Sequence, residues 1–292
     1  MDGTARSTSP EDVYMELREA VNEHGRLVER ICTLSNQVQR WLDIRFPEYG
    51  LVFKDWSGKA SMLVLKHCPT PERILALGGA GILRLWKTEM AKPSMKKAEH
   101  LVWVAQASVG RKDGSTAAIA ALGHLMAGYE LECRHKEETE IQMQELLMQV
   151  PNASKLVRIK GVGMVTAAVI VSEIGDIHRF ADPRQIIKLA GLALKENSSG
   201  KHKGRTTINK RGRKRLREAL FHSVIAMLAT NVEFRSMHQR NLQRQGNPLT
   251  KMQSVIALCG KLVRVLYAIL SKGIEYDPVK LISDMERSKK AA

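Results

Sequence analysis

Two long stretches of the chain repeat apolar residues at alternating steps of three and four. The first stretch has nine repeated positions, and His24 and Ser35 are its two polar exceptions. The nine positions are Tyr14, Leu17, Val21, His24, Val28, Ile31, Ser35, Val38 and Leu42. In the second stretch Lys136 and Glu140 are the polar exceptions among Ile119, Leu122, Met126, Tyr129, Cys133, Lys136, Glu140, Met143, Leu147 and Val150. Because this spacing lines one stripe of a helix, it predicts two long coiled-coil-like helices.

These two stretches predict the organisation of the chain. They are expected to form an antiparallel hairpin with a helical insertion at residues 47–118, followed by a helical domain. The predicted segments are a disordered N-terminus (1–11), the hairpin with its insertion (12–150), the helical domain (151–277) and a basic tail (278–292). The apolar seams either pack on each other within one chain or join two copies as a homo-oligomer, and both alternatives stay open here.

Composition narrows the class of protein. The four Cys residues form no CxxC motif, which excludes a zinc ribbon and disfavours a disulfide framework. No run of 18 apolar residues and no signal peptide are found, so we expect a cytoplasmic protein without a membrane partner. Aromatic residues make up 5% of the chain, so we expect Leu, Ile, Val, Ala and Met to build the core of a mainly α fold.

The charge is divided unevenly along the chain. Of 46 Lys and Arg and 30 Asp and Glu residues, the first 150 positions hold 19 basic and 20 acidic side chains. Positions 151–292 hold 27 basic and 10 acidic side chains, a net charge of +17. An excess of this size predicts a polyanionic partner, and nucleic acid, associated with the nucleoid, is the expected one.

A Gly-x-Gly turn lies at the start of the basic half. Apolar residues from Leu156 to Ile159 lead into Lys160, Gly161 and Gly163, and an apolar segment with small residues follows. This pattern is typical of a helix–hairpin–helix, in which backbone N–H groups at a helix N-terminus bind a DNA phosphate. The alternative is an ordinary glycine turn between two helices.

A dense basic run follows within the same half. It contains ten positive residues, namely Lys195, Lys201, Lys203, Arg205, Lys210, Arg211, Arg213, Lys214, Arg215 and Arg217, and Glu196 is the acidic residue among them. The run is interrupted by glycines and leads into an apolar helix, unlike a terminal localisation tail. It therefore predicts nucleic-acid binding that weakens steeply with salt.

Two further groups of residues bear on chemistry. The hydroxyl of Ser198 or Ser199, next to Gly200 in the basic run, is suited to attack a phosphodiester, although Ser-Ser-Gly alone is usually a plain loop. The carboxylates Glu173, Asp176 and Asp182 suggest either Mg²⁺ ligands or, as we prefer, helix caps and pairing with nearby arginines. We therefore predict no metal site in this chain.

The order of these motifs resembles the C-terminal domain of the transposases of the insertion-sequence 110/116/902 family. The resemblance covers roughly residues 146–276 and rests on the sequence blocks Ile-Lys-Gly-Val-Gly, Ser-Glu-Ile-Gly-Asp-Ile, Leu-Ala-Gly-Leu, Ser-Ser-Gly and Lys-Arg-Gly-Arg-Lys-Arg-Leu-Arg. The long helix before Phe46-Pro-Glu-Tyr49 is similar to the coiled-coil region that precedes this domain in the family.

The resemblance implies roles for individual residues. Ser199 would be the nucleophile that joins the protein to DNA, and Ser198 is the alternative. Phosphate contacts are expected from Lys160, Gly161, Gly163, Lys201, Lys203, Arg205, Lys210, Arg211, Arg213 and Arg215. Family members carry an N-terminal RuvC-like domain whose acidic residues bind Mg²⁺. No segment of residues 1–50 has that pattern, so we expect a shortened chain and expect Mg²⁺ only for the intact family enzyme.

Three functions follow from the sequence. The first is a transposase or site-specific recombinase that cleaves and rejoins the duplex DNA of element ends and targets. The second is a non-enzymatic, dimeric DNA-binding protein that occupies element ends or partners an intact transposase. The third is binding of a guide RNA, because the basic run suits RNA as well as DNA.

Overall fold

The computed structural model describes residues 10–113, 115–195 and 207–278. The described residues form two compact units, one of residues 10–24 with 139–278 and one of residues 25–138. We call them the terminal unit and the central unit. The described chain is mainly helical, which confirms the predicted fold class. The predicted domain boundaries stay a prediction.

Two long helices each pass from one unit into the other, and they are α1 (Pro10–Arg45) and α6 (Ser115–Gln149). The central unit also contains α2 (Tyr49–Val52), α3 (Lys59–His67), α4 (Pro71–Lys87) and α5 (Met95–Gln106). The terminal unit contains a 3₁₀ turn (Ala153–Arg158), α7 (Met164–Ile174), a 3₁₀ turn (Ile177–Arg179), α8 (Pro183–Leu189), β1 (Leu194–Lys195), β2 (Thr207–Ile208), α9 (Lys214–Thr230), α10 (Val232–Gln243) and α11 (Lys251–Lys272).

Helices α1 and α6 run in opposite directions within the central unit. Arg30 Nε donates to Glu132 Oε2 at 3.1 Å, and Trp41 Nε1 donates to the carbonyl of Ala118 at 2.8 Å. The later residue of α1, Trp41, thus contacts the earlier residue of α6, Ala118, as expected for antiparallel helices. The predicted coiled-coil packing and oligomerisation stay predictions.

The buried stripe of α1 departs from the predicted seam. Val28, a predicted seam position, is 43% exposed, whereas its neighbour Leu27 is 1% exposed. The departure is local, because the predicted seam positions Val21, Val38 and Leu42 are 1%, 0% and 2% exposed.

The core of the central unit is mainly aliphatic, as predicted, and it also contains a cluster of aromatic side chains. Tyr49 packs between Phe46 and Phe53, with ring centroids 5.4 and 4.9 Å apart. Trp86 meets Phe53 edge to face, and its Nε1 donates to the carbonyl of Ala60 at 2.8 Å. All four tryptophans of the chain lie in this unit, which total composition does not show.

The terminal unit has the predicted aliphatic core. Helix α9 packs against both α7 and α11, and Ile170, Leu220 and Leu262 are fully buried. In the described part of the chain, α11 is the one helix long and apolar enough to cross a membrane. Half of its apolar window is buried inside this unit, where Leu262 and Leu266 belong to the core.

Each unit contains a buried cysteine, so the rate of thiol labelling can report the unfolding of each unit separately. Burial raises the pKa of Cys68, in the central unit, to about 11 and that of Cys259, in the terminal unit, to about 12. Because the thiolate is the reactive form, neither should react with Ellman's reagent at pH 8 until its unit opens. The exposed Cys32 should react at once. Immediate, uniform labelling of all the thiols would contradict this packing.

Candidate nucleic-acid interface

The Gly-x-Gly turn connects the 3₁₀ turn at 153–158 to α7. Buried side chains of Leu156 and Ile159 anchor its first half, and the Val162 N–H donates to the Ile159 carbonyl at 2.9 Å. Gly161 has φ +100°, and a Cβ there would lie 2.8 Å from the backbone nitrogen of Met227 in α9. Gly161 therefore allows a tight turn and close packing on α9, rather than exposing backbone to a phosphate.

Gly163 occupies a different environment. It is the N-cap residue of α7, is exposed, and would have nothing within 4 Å of an added Cβ. The first turn of α7 carries no acidic residue, and Lys160 beside it is exposed. Free N–H groups and the helix dipole make this end favourable for an anion. Of the two predicted glycines, Gly163 is the one with open space for a phosphate.

The opposite end of α7 is held by two arginines from distant parts of the chain. Arg18 in α1 donates from Nη2 to the Ser172 carbonyl at 2.9 Å and from Nε at 3.2 Å. Arg213 donates from Nη1 to the Glu173 carbonyl and lies 3.5 Å from the Glu173 carboxylate. Cations at a helix C-terminus satisfy its last carbonyls and its dipole. Arg213, predicted to contact phosphate, is thus occupied within the protein.

The carboxylates near α7 serve local structure. Asp176 accepts from the His178 N–H at 2.9 Å, Asp182 accepts from the Arg184 N–H at 2.7 Å, and Glu173 pairs with Arg213. Capping was therefore predicted correctly, whereas the arginine partner of Glu173 comes from α9. Within residues 10–113, 115–195 and 207–278, no group of three or more His, Cys, Asp or Glu could hold a metal ion. Asp176, Asp182 and Glu173 are thus engaged in two caps and one ion pair.

A short antiparallel ribbon lies at the entrance to the basic run. Leu194 pairs with Ile208, and Lys195 pairs with Thr207. Backbone hydrogen bonds continue this ladder from Asn209 N–H to the Ala193 carbonyl, at 2.8 Å, and from Lys210 N–H to the Gly191 carbonyl, at 2.9 Å. The ribbon therefore has a closed base between the end of α8 and the start of α9.

Gly212 allows the base of the ribbon to close. The Arg213 N–H donates to the Leu189 carbonyl at 2.7 Å. A Cβ on Gly212 would lie 2.4 Å from the same carbonyl oxygen, so no larger residue fits without moving backbone. This close approach brings the C-terminus of α8 to the N-terminus of α9.

Several predicted site residues lie outside the described residues. The segment 196–206 contains Ser198, Ser199, Lys201, Lys203 and Arg205. The residues that flank this segment, Lys195 and Thr207, are paired in the ribbon and therefore lie next to each other.

The described cations of the basic run fall into two groups. Arg215 donates from Nη2 to the Val21 carbonyl at 2.8 Å and from Nη1 to the Asn22 side chain, and Arg217 donates to the Ala190 carbonyl at 2.9 Å. These arginines tie α9 to its own unit. Lys210 and Arg211 are instead exposed at the foot of the ribbon, where Lys210 has φ +57°.

Two further exposed cations lie near the base of the ribbon, and of these only Lys188 lies outside the basic run in sequence. Lys188, near the end of α8, is exposed, and the next residue, Leu189, bonds to Arg213 across the base of the ribbon. Lys214 is exposed in the first turn of α9, 3.5 Å from Glu218. Lys188 lies outside the basic run in sequence and joins it only through the backbone pairing.

Comparison with known proteins identifies relatives of the region just described. Residues 153–239 match the family model described as "Transposase IS116/IS110/IS902 family". This match spans the Gly-x-Gly turn, the ribbon and the basic run.

Individual relatives agree with the family match. The chain is 29% identical over 153 residues to "Transposase for insertion sequence element IS1111A" of Coxiella burnetii, a match that covers 50% of this chain and 41% of that protein. It is 30% identical over 155 residues to the "Pilin gene-inverting protein" of Moraxella bovis, covering 49% of this chain and 47% of that protein.

A longer match is found with a Streptomyces clavuligerus protein described as "Insertion element IS116 uncharacterized 44.8 kDa protein". That match is 23% identical over 267 residues and covers 89% of this chain and 65% of that protein. The chain spans less than half the length of the two named relatives above.

Proposed function

We propose that this chain, whose residues 153–239 match the IS116/IS110/IS902 transposase family model, cleaves and rejoins DNA as a transposase or site-specific recombinase. Ser199 is the proposed nucleophile. The observation that carries the proposal is the ribbon, whose pairing of Lys195 with Thr207 fixes both ends of the Ser199 segment beside exposed cations. Relatives named as a transposase and as a gene-inverting protein support the same class of reaction.

The proposed step is a transesterification. Ser199 Oγ forms a bond to a backbone phosphorus of DNA, while the bond from that phosphorus to a deoxyribose oxygen breaks. Serine gives up its hydroxyl proton, and the departing deoxyribose oxygen takes up a proton. One phosphoester replaces another, so the reverse attack by a strand-end hydroxyl rejoins DNA without ATP. Nearby cations stabilise the charge that develops on the phosphoryl oxygens.

We propose that the terminal unit holds the DNA backbone at two places. The first is the start of α7, where Lys160 and the N–H groups after Gly163 receive a phosphate in the manner of a helix–hairpin–helix. The second is the foot of the ribbon, where Lys210 and Arg211 are exposed. Lys201, Lys203 and Arg205, outside the described residues, are proposed to contact phosphates beside Ser199.

Arg213 and Arg215 have a different proposed role. Their guanidinium groups already bond to Glu173 and to Val21 within the terminal unit. We propose that they position the ribbon and the start of α9 for DNA, instead of binding phosphates themselves. We also propose three further properties of the protein. They are a homo-oligomer formed through α1 and α6, a cytoplasmic location associated with the nucleoid, and binding of a guide RNA.

The direct test is chemical identification of the adduct. The full chain is incubated with labelled DNA containing element ends, with and without Mg²⁺, then denatured in detergent and digested with trypsin and nuclease. Trypsin cuts after Lys195 and Lys201, which releases residues 196–201 as one peptide. We expect a nucleotide remnant on this peptide, with fragmentation placing it on Ser199. A detergent-stable adduct located on any other peptide would refute the assignment.

Salt dependence tests the proposed backbone contacts. Each phosphate neutralised by the protein contributes about 0.9 to the slope of log affinity against log salt concentration for duplex DNA. We therefore expect Arg211→Ala to reduce this slope by about 0.9 and to weaken binding similarly for unrelated duplex sequences. Fluorescence anisotropy over a series of salt concentrations measures both effects.

The matched control for this experiment is Arg211→Lys, which keeps the charge. We expect it to retain the wild-type slope. If Arg211→Ala also retains that slope, Arg211 does not contact phosphate in the complex.

A further inference from the structure

Helix α5 of the central unit presents a stripe of one cationic and two aromatic side chains. Lys96, His100 and Trp103 follow one another at steps of four and three, so they lie on the same helix face. All three are exposed, and the buried positions Ala98, Leu101 and Ala105 lie on the opposite face. The His100 and Trp103 rings stack with centroids 5.9 Å apart and an interplanar angle of 26°.

Trp103 differs from the other tryptophans of the chain. Its exposure is 63%, whereas Trp41, Trp56 and Trp86 are all buried. The indole Nε1 groups of Trp41 and Trp86 also donate to backbone carbonyls. Trp103 thus offers a large, open aromatic face beside a second ring.

Charge around this stripe indicates what the aromatic face binds. Residues 71–106, which contain α4 and α5, hold six basic and three acidic side chains. Two of the acidic groups are already paired, Glu72 with Lys112 and Glu89 with Lys59. The third, Glu99, is exposed on α5, three residues after Lys96 and four before Trp103, so it borders the stripe. Exposed cations without an acidic partner within the described residues include Arg84, Lys87, Lys92 and Lys96.

The combination favours a nucleic acid with unpaired bases. An exposed aromatic ring beside cations is the arrangement by which proteins stack single-stranded bases and hold the adjoining phosphates. A duplex hides its base faces within its own stack, so it cannot use Trp103 in this way. Lysine is depleted in protein–protein interfaces, which makes a protein partner a poorer fit for this surface.

We propose that the α5 stripe is a second nucleic-acid site that binds an unpaired DNA strand. One base stacks on Trp103 and His100, and its phosphate lies at Lys96. The choice of DNA over RNA rests on the proposed function, in which strands are opened and rejoined. The existence of the site rests on the central unit alone and does not require Ser199 chemistry.

Intrinsic fluorescence provides a specific readout for this site. Since Trp103 is the exposed tryptophan, its red-shifted emission is the part that a stacked thymine should quench. The full chain is titrated with a 12-nucleotide oligo(dT), and emission and anisotropy of a labelled strand are followed together. We expect quenching that saturates in parallel with binding.

Three variants separate stacking from charge. Trp103→Ala should weaken oligo(dT) binding about tenfold, the effect of losing one stacked base. Trp103→Phe should keep most of the affinity while abolishing the quenching. Lys96→Ala should lower the salt slope by about 0.7, the contribution of one single-strand phosphate. Val109→Ala, at an exposed apolar position of the same unit, is the matched control and should change neither quantity.

Two results would overturn the proposal. Equal oligo(dT) affinity for wild type and Trp103→Ala, with circular dichroism showing both folded, would show that Trp103 does not stack on DNA. Quenching by oligo(rU) at much lower concentration than by oligo(dT) would assign the stripe to RNA. Neither result bears on the Ser199 adduct, so failure here and failure of the proposed function are distinguishable.

Discussion

Replacing Ser199 by alanine is expected to lower the yield of covalent protein–DNA adduct by more than about a thousandfold. The substitution removes the only atom that the proposed mechanism joins to phosphorus, and loss of a nucleophile typically has an effect of at least this size. DNA affinity should change by less than about twofold, because a hydroxyl adds little to a contact dominated by cations. Gel separation of labelled adduct after detergent denaturation measures the yield, and anisotropy measures the affinity.

Ser198→Ala is the matched control, because it removes the neighbouring hydroxyl from the same Ser-Ser-Gly sequence. We expect it to retain the adduct within about tenfold. If Ser198→Ala abolishes the adduct and Ser199→Ala does not, the nucleophile is the neighbouring serine.

The non-enzymatic alternative makes a different prediction for the same protein samples. It expects salt-dependent binding of wild type to duplex DNA, with no adduct from any of the three proteins. This result, obtained with element-end DNA and Mg²⁺ present, would contradict the recombinase proposal and support a DNA-binding protein.

The second large effect is expected at Gly161, where alanine should destabilise the terminal unit by about 3 kcal/mol. A side chain in left-handed backbone costs about 1–2 kcal/mol, and overpacking costs about 1–3 kcal/mol more. Both apply because Gly161 has φ +100° and its added Cβ would lie 2.8 and 2.9 Å from backbone atoms of Met227. For a unit of this size, the melting temperature should fall by about 10 °C.

Thiol labelling makes this measurement specific to one unit. Cys259 is fully buried in the terminal unit, so its labelling rate should rise about a hundredfold in Gly161→Ala. Cys68, in the central unit, provides the internal reference.

Gly163→Ala is the matched control within the same motif. Gly163 has φ −78°, which alanine adopts readily, and nothing lies within 4 Å of its added Cβ. We expect a change of less than about 1 kcal/mol in the free energy of unfolding. Equal destabilisation by both substitutions would contradict the packing of Gly161 on α9.

The helical class of the fold follows from local signals in the sequence. The repeats in residues 12–46 and 119–150 predicted α1 and α6, because apolar periodicity over many turns is a strong helix signal. The burial of Leu27 in place of Val28 could not be read from the repeat, because packing partners decide which of two neighbouring residues is covered. Total composition did not show that Phe46, Tyr49, Phe53 and Trp86 would pack together in the central unit.

The roles of the candidate site residues stay predictions. The order of the Gly-x-Gly turn, the Ser-Ser-Gly segment and the basic run resembled the family whose model matches residues 153–239. Charge alone could not separate Arg211, which is exposed, from Arg213, which is bonded to Glu173. Nor could it find Lys188, which reaches the foot of the ribbon through backbone pairing.

The sequence by itself determined the mainly helical class, the basic terminal half and the resemblance to a transposase family, because periodicity, net charge and motif order are properties of neighbouring residues. Only the tertiary structure decided which members of those motifs face solvent. Arg215 bonds to Val21, 194 positions away, and Arg18 bonds to Ser172, 154 positions away. Likewise, Gly161 is constrained by Met227 of α9, whereas Gly163 is not constrained by any neighbour. Such partners meet only when the helices pack, so a local pattern does not reveal them.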